Sequence, residues 1–138
     1  MIARMWHGMV PEALADEYQN YINETGLPGL KSTPGNLGVI ILRRIENGRV
    51  HFLLISFWES FEAIAKFAGS NVEKARYYPD DEKYLIELEP KVTHYQVIVG
   101  QEMVELHYAP TRSRSQGAVW ARGDEATPLA PPTSELTS

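Results

Sequence analysis

Residues 52–68, Phe-Leu-Leu-Ile-Ser-Phe-Trp-Glu-Ser-Phe-Glu-Ala-Ile-Ala-Lys-Phe-Ala, constrain this chain most. Phe52 to Phe57 are apolar apart from Ser56, the pattern of a strand buried on both faces. Ser60 has the residue type of a helix N-cap, and Glu62 puts a negative charge in the first turn. Phe61, Ile64 or Ala65, and Phe67 or Ala68 then recur at helical spacing, and Gly69 ends the run. A buried strand therefore runs straight into an amphipathic helix, with Trp58 at the junction.

The remaining elements follow in order. Residues 2–10 alternate as a first strand: Ala3, Met5, His7 and Met9 share one face, and Ile2, Arg4, Trp6 and Val10 the other. Pro11 opens a helix with the stripe Leu14, Tyr18 and Tyr21/Ile22, closed by Gly26 and Pro28. Residues 27–36 read as loop, and Leu37–Ile45 as a second strand. Asn47-Gly48 marks a tight hairpin into a third strand, Val50–Trp58. After the helix from Phe61 come a short helix, Val72–Tyr78, one helical turn within 80–88, and a last strand, Val92–Val99. Glu102–Tyr108 adds a strand or short helix, and from Pro110 the composition is that of a mobile tail carrying an isolated Trp120.

The order β-α-β-β-α-β gives a ferredoxin-like α+β domain over residues 1–100, followed by a largely irregular extension over 101–138. Its helices cover one face of a four-stranded antiparallel sheet. Yet Val39, Ile41, Leu53 and Ile55, and also their alternating neighbours, make both faces apolar. The second face requires a second layer, and a homodimer packed sheet on sheet supplies it.

The chain has 138 residues and no cysteine, which excludes disulfides, thiolate metal sites and cysteine nucleophiles. A net charge of −5 argues against nucleic-acid or anionic-membrane partners. No apolar run reaches spanning length, and the first residues lack a signal-peptide core, so a cytoplasmic protein is expected. Phosphate-loop, dinucleotide, nucleophile-elbow and zincin motifs are absent.

The Phe57-Trp58-Glu59-Ser60 junction and its Ala/Phe-rich helix resemble the antibiotic biosynthesis monooxygenase family over about residues 1 to 99. That resemblance implies a dimeric α/β barrel. It also implies cofactor-independent oxygenation of a small aromatic or polyphenolic compound, or a non-catalytic ligand-binding module on the same scaffold. Under it, His7 and His94 are the candidate bases, facing one pocket if register allows. Trp58 and Phe67 are candidate walls, and Arg76 or Tyr77 candidate donors at the mouth. His51 reads as a solvated residue near the hairpin.

Haem-degrading proteins share the barrel, and this chain departs from their pattern. Tyr77 or a neighbour stands where they place a proximal histidine, His7 where they place an asparagine, and Phe67 where they place a tryptophan. Tyrosine is a known haem-iron ligand, so a weaker haem reading stays open. No cofactor and no metal are expected.

Overall fold

The structure, a computed structural model, describes residues 1–108, with backbone alone from Glu105 to Tyr108. The chain divides after Gln101. The first unit contains β1 (Ile2–Pro11), α1 (Ala15–Glu24), α2 (Gly26–Ser32), β2 (Asn36–Glu46), β3 (Arg49–Trp58), α3 (Phe61–Ala68), α4 (Asp81–Tyr84) and β4 (Thr93–Gln96). Helix α5 (Gln101–Tyr108) carries the chain into the second unit. The tail reading and Trp120 lie outside the described residues.

The sheet is four-stranded and antiparallel in the order β2-β3-β1-β4, the ferredoxin-like arrangement expected. The β2–β3 turn is built by Asn47 (φ 52°) and Gly48 (φ 76°), the pair of left-handed residues a tight hairpin needs. The Ser60 side chain accepts the Ala63 N–H and caps α3. Gly69 (φ 91°) ends that helix.

Several local expectations are corrected, among them residues 27–36, read as loop, which hold most of helix α2. Pro11 is the last residue of β1 rather than the first of a helix; a 3-10 turn (Glu12–Leu14) leads into α1. Pro28 does not end the helical region, because it sits in the first turn of α2, where its missing N–H costs nothing. Val72–Tyr78 is not a helix. Its backbone pairs with the chain before β4, through Ala75 N–H to Pro90 O and Val92 N–H to Glu73 O. β4 itself is four residues, shorter than the span read from sequence.

Cross-strand register sorts the side chains. Arg4, Trp6 and Val10 share the helix-covered face with Phe52, Leu54, Ser56 and Trp58. Two clusters pack there. One centres on Tyr18, Ile22, Val50 and Phe52, the other on Leu30, Trp58, Ile64 and Phe67, and Leu54 touches both. Met5, His7, Met9, His51, Leu53 and Ile55 face the other way, with Ile40 and Leu42 beside them. Ile40 and Leu42 are nearly half exposed on that outer face.

Candidate functional site: a cavity between sheet and helices

A narrow cavity of about 50 Å³ opens on the helix-covered face of the sheet. Its apolar walls come from both core clusters, Tyr18 and Ile22 on one side and Leu30 and Phe67 on the other, with Leu54 and Trp6 contributed by the strands. Its polar lining is Arg4, Ser56, Arg76, Tyr78 and Asp81.

Arg4 is held by β1 and is only 4% exposed. Its guanidinium donates to the Val72 and Lys74 carbonyls, and His94 Nε2 accepts from it at 3.3 Å. Among the described residues no carboxylate lies within ion-pair distance of it. Burial lowers the Arg4 pKa to about 10, which leaves the group charged at neutral pH. Arg76 is exposed at the mouth and donates to the Phe67 carbonyl. Both guanidinium carbons lie near the Phe67 ring, 5.8 Å from its centre for Arg4 and 4.9 Å for Arg76.

Tyr78 stacks under Arg76, 5.1 Å from guanidinium carbon to ring centre. Its hydroxyl is buried and has no hydrogen-bond partner among the described residues. Burial raises its pKa, so it stays an O–H donor. Gly29 of α2 permits this placement: a Cβ there would stand 2.9 Å from the Tyr78 hydroxyl oxygen.

Asp81 opens α4 and is 5% exposed. Its carboxylate accepts the Tyr18 O–H at 2.9 Å and the Tyr78 backbone N–H at 2.6 Å. Burial raises the Asp81 pKa, and these two bonds oppose the rise. Ser56 is also buried; it accepts the Trp58 indole N–H at 2.8 Å, which leaves its own proton to donate.

The six side chains singled out from sequence distribute unevenly. Phe67 and Arg76 line the cavity. Trp58 is fully buried beside Phe67 and belongs to the core, not to the lining. Tyr77 stands behind the wall. It accepts the Trp6 indole N–H at 3.2 Å and donates to the Glu89 carbonyl.

His7 and His94 do not share a face. His94 is opposite Arg4 in the β1–β4 register, on the helix side, and its ring packs edge-on to Phe61. Burial first, and the Arg4 charge second, lower its pKa. His7 points to the outer face, where its Nδ1 meets Glu89 at 2.6 Å and its Nε2 meets His51 Nδ1 at 2.9 Å. His51 continues the chain to Glu46 at 3.1 Å, so it is bonded within a network rather than simply solvated. The single reason is the period-two alternation of β1: position 4 faces the helices, so position 7 cannot.

Sequence reasoning passed over Arg4 and Asp81, and favoured Tyr77 where its neighbour Tyr78 lines the cavity. Arg4 carried a readable signal, since it alternates in register with Trp6 and Val10 on an apolar face. Asp81 carried none, because Asp80 and Asp81 are adjacent and only packing distinguishes them.

Neither a family model nor a curated protein matches the chain. Solved structures do. One is MhuD, a heme-degrader from Mycobacterium tuberculosis with two hemes bound in its active site. It is 18% identical over 72% of this chain and 98% of that chain, with a TM-score of 0.50. A mutant of MhuD with two manganese protoporphyrin IX bound per active site is also 18% identical, covering 72% of this chain and 97% of that one, TM-score 0.50. The chain shares their fold. At this identity the likeness reaches the fold and stops there.

Proposed function

We propose that the cavity binds a small phenol and that the chain oxidises it with molecular oxygen without a cofactor. The observation that supports this is Asp81, a buried carboxylate of raised proton affinity on a cavity walled by aromatic rings. Such a group removes a phenolic proton. The phenolate supplies electrons to oxygen; one oxygen atom becomes the second carbonyl oxygen of a quinone and the other leaves as water. That water carries the phenolic proton and the displaced ring hydrogen. Arg4 and Tyr78 supply a positive charge and an O–H donor to an anion in the cavity.

In this reading Asp81 takes the base role first assigned to His7 or His94, Phe67 is a wall and Arg76 a donor at the mouth. The uncovered outer face, with Ile40 and Leu42, pairs with a second copy and completes a barrel. Oxygen uptake against a panel of mono- and diphenols tests the reading. Asp81→Asn should cut turnover by about a hundredfold or more; because both carboxylate oxygens accept hydrogen bonds, circular dichroism of the variant separates lost chemistry from lost fold. Wild-type turnover in that variant would remove Asp81 from the mechanism.

A haem-binding reading has one support, the two haem-type ligands named for MhuD on the same fold. The cavity beside Asp81 does not fit the group. A cavity of about 50 Å³ encloses a few water molecules, not a macrocycle. Among the described residues no imidazole lines it, and Tyr77 is committed elsewhere. A Soret titration of the full chain decides the matter: a saturable band at one haem or two per chain would displace the phenol reading.

A further inference from the structure

Arg4 presents an unbalanced charge. A guanidinium 4% exposed is solvated here by two carbonyls and one imidazole, none of which carries a full negative charge. A buried charge without a counter-charge is costly. Around the same cavity stand a second guanidinium, Arg76, and two hydroxyls with protons to give, Tyr78 and Ser56. Two of these four groups, the Tyr78 and Ser56 hydroxyls, have no acceptor for their proton among the described residues. Donors that converge on a cavity around an uncompensated cation call for an anion.

The lining also sets the size of that charge. Arg4 and Arg76 are opposed by one carboxylate, Asp81, so the site favours a monoanion over a phosphate-like dianion. Phe67, flanked by both guanidiniums, offers a flat apolar surface next to the charge. The enclosed volume of about 50 Å³ takes the anionic group, and a ring against Phe67 extends toward the open mouth at Arg76.

We infer that the ligand is a single-ring aromatic monocarboxylate, its carboxylate held by Arg4, Arg76 and the Tyr78 hydroxyl and its ring against Phe67. This deepens the reading of the same cavity as a substrate site, and names the chemical class that enters it.

The test is calorimetric titration of the full chain at neutral pH with 4-hydroxybenzoate and with 4-hydroxybenzamide, its uncharged counterpart. The carboxylate should bind at least about tenfold more tightly, the scale of one or two buried charge-assisted hydrogen bonds. Arg4 also anchors the backbone at Val72 and Lys74, so its removal risks the fold. Arg76→Gln and Tyr78→Phe are therefore the working variants. Each should lower carboxylate affinity several-fold and amide affinity less, because charge-assisted bonds are the stronger.

Equal affinity for the two probes, binding of neither, or a preference unchanged in both variants would overturn the inference. Oxygen uptake separates it from the catalytic reading. Carboxylate-selective binding without oxygen uptake keeps the inference and sinks the oxygenase. Oxygen uptake with equal KM for neutral and anionic phenols does the reverse.

Discussion

The Arg4 guanidinium meets the His94 imidazole nitrogen to nitrogen, Nη1 to Nε2 at 3.3 Å, across the β1–β4 register pair. With Arg4 always a donor, Nε2 must present its lone pair, so the ring is neutral when the contact is made. Burial and the neighbouring charge both hold the His94 pKa below its ordinary value. The unfolded chain thus binds this proton more readily than the folded one, and stability rises with pH. The contribution is complete above about pH 6.5, the unfolded value, and is lost as pH falls through the lower folded value. Melting temperatures between pH 7.5 and 5 should fall in the wild type and fall less steeply in His94→Gln.

Tyr78 carries a buried hydroxyl with no partner among the described residues. An orphaned buried polar group costs about 1–3 kcal/mol. Tyr78→Phe should therefore stabilise the ligand-free protein by about 1 kcal/mol, read as a higher urea midpoint. A site kept for binding and not for stability behaves this way.

Gly8 lies under the Trp6 indole. A Cβ at position 8 would stand 2.2 Å from Trp6 Cη2 and 2.9 Å from Leu85 Cδ2. Gly8→Ala must move the indole, which donates to Tyr77 and lines the cavity. The expected cost is about 1–3 kcal/mol, with changed near-UV dichroism from the displaced tryptophan.

Ser60 caps α3, the helix that delivers Phe67 to the cavity. Ser60→Ala should destabilise the protein by about 1 kcal/mol, and Ser60→Asp should retain most of the stability. Thermal melts of the two variants side by side provide the check.

On the outer face, Leu42 is 47% exposed beside Ile40, Leu53 and Ile55. If a second copy covers this face, light scattering should give twice the chain mass for the wild type. A buried, unpaired carboxylate is not tolerated at such an interface, so Leu42→Glu should give the monomer mass. A wild-type monomer at micromolar concentration would sink the pairing.

Much of the fold was legible locally. The Phe52–Ala68 run specifies its strand, its cap at Ser60 and its stop at Gly69 through residue types that act within one turn of themselves. Asn47-Gly48 likewise specifies a hairpin through two residues that adopt left-handed backbone. The failures came where distant chain intervened. Val72–Tyr78 has the look of a short helix, but its N–H and C=O groups are taken by Glu73–Val92 and Ala75–Pro90 pairing. Pro28 looks like a helix end, but a new helix starting at Gly26 absorbs it in its first turn.

The sequence by itself determined the element order, the ferredoxin-like sheet and the two apolar faces, because periodicity and capping are properties of neighbouring residues. It also singled out Phe67 and Arg76, which line the cavity. Only the tertiary structure decided which histidine faces the helices, that Trp58 is core, and that Arg4, Tyr78 and Asp81 converge on one cavity. Those residues lie up to 77 positions apart in the numbering of one chain. Their meeting depends on strand register and on close approach of α2 at Gly29, and one residue of slip in β1 would exchange Arg4 for its neighbours. Burial then does what no local pattern encodes: it lowers the pKa of Arg4 and raises those of Asp81 and Tyr78.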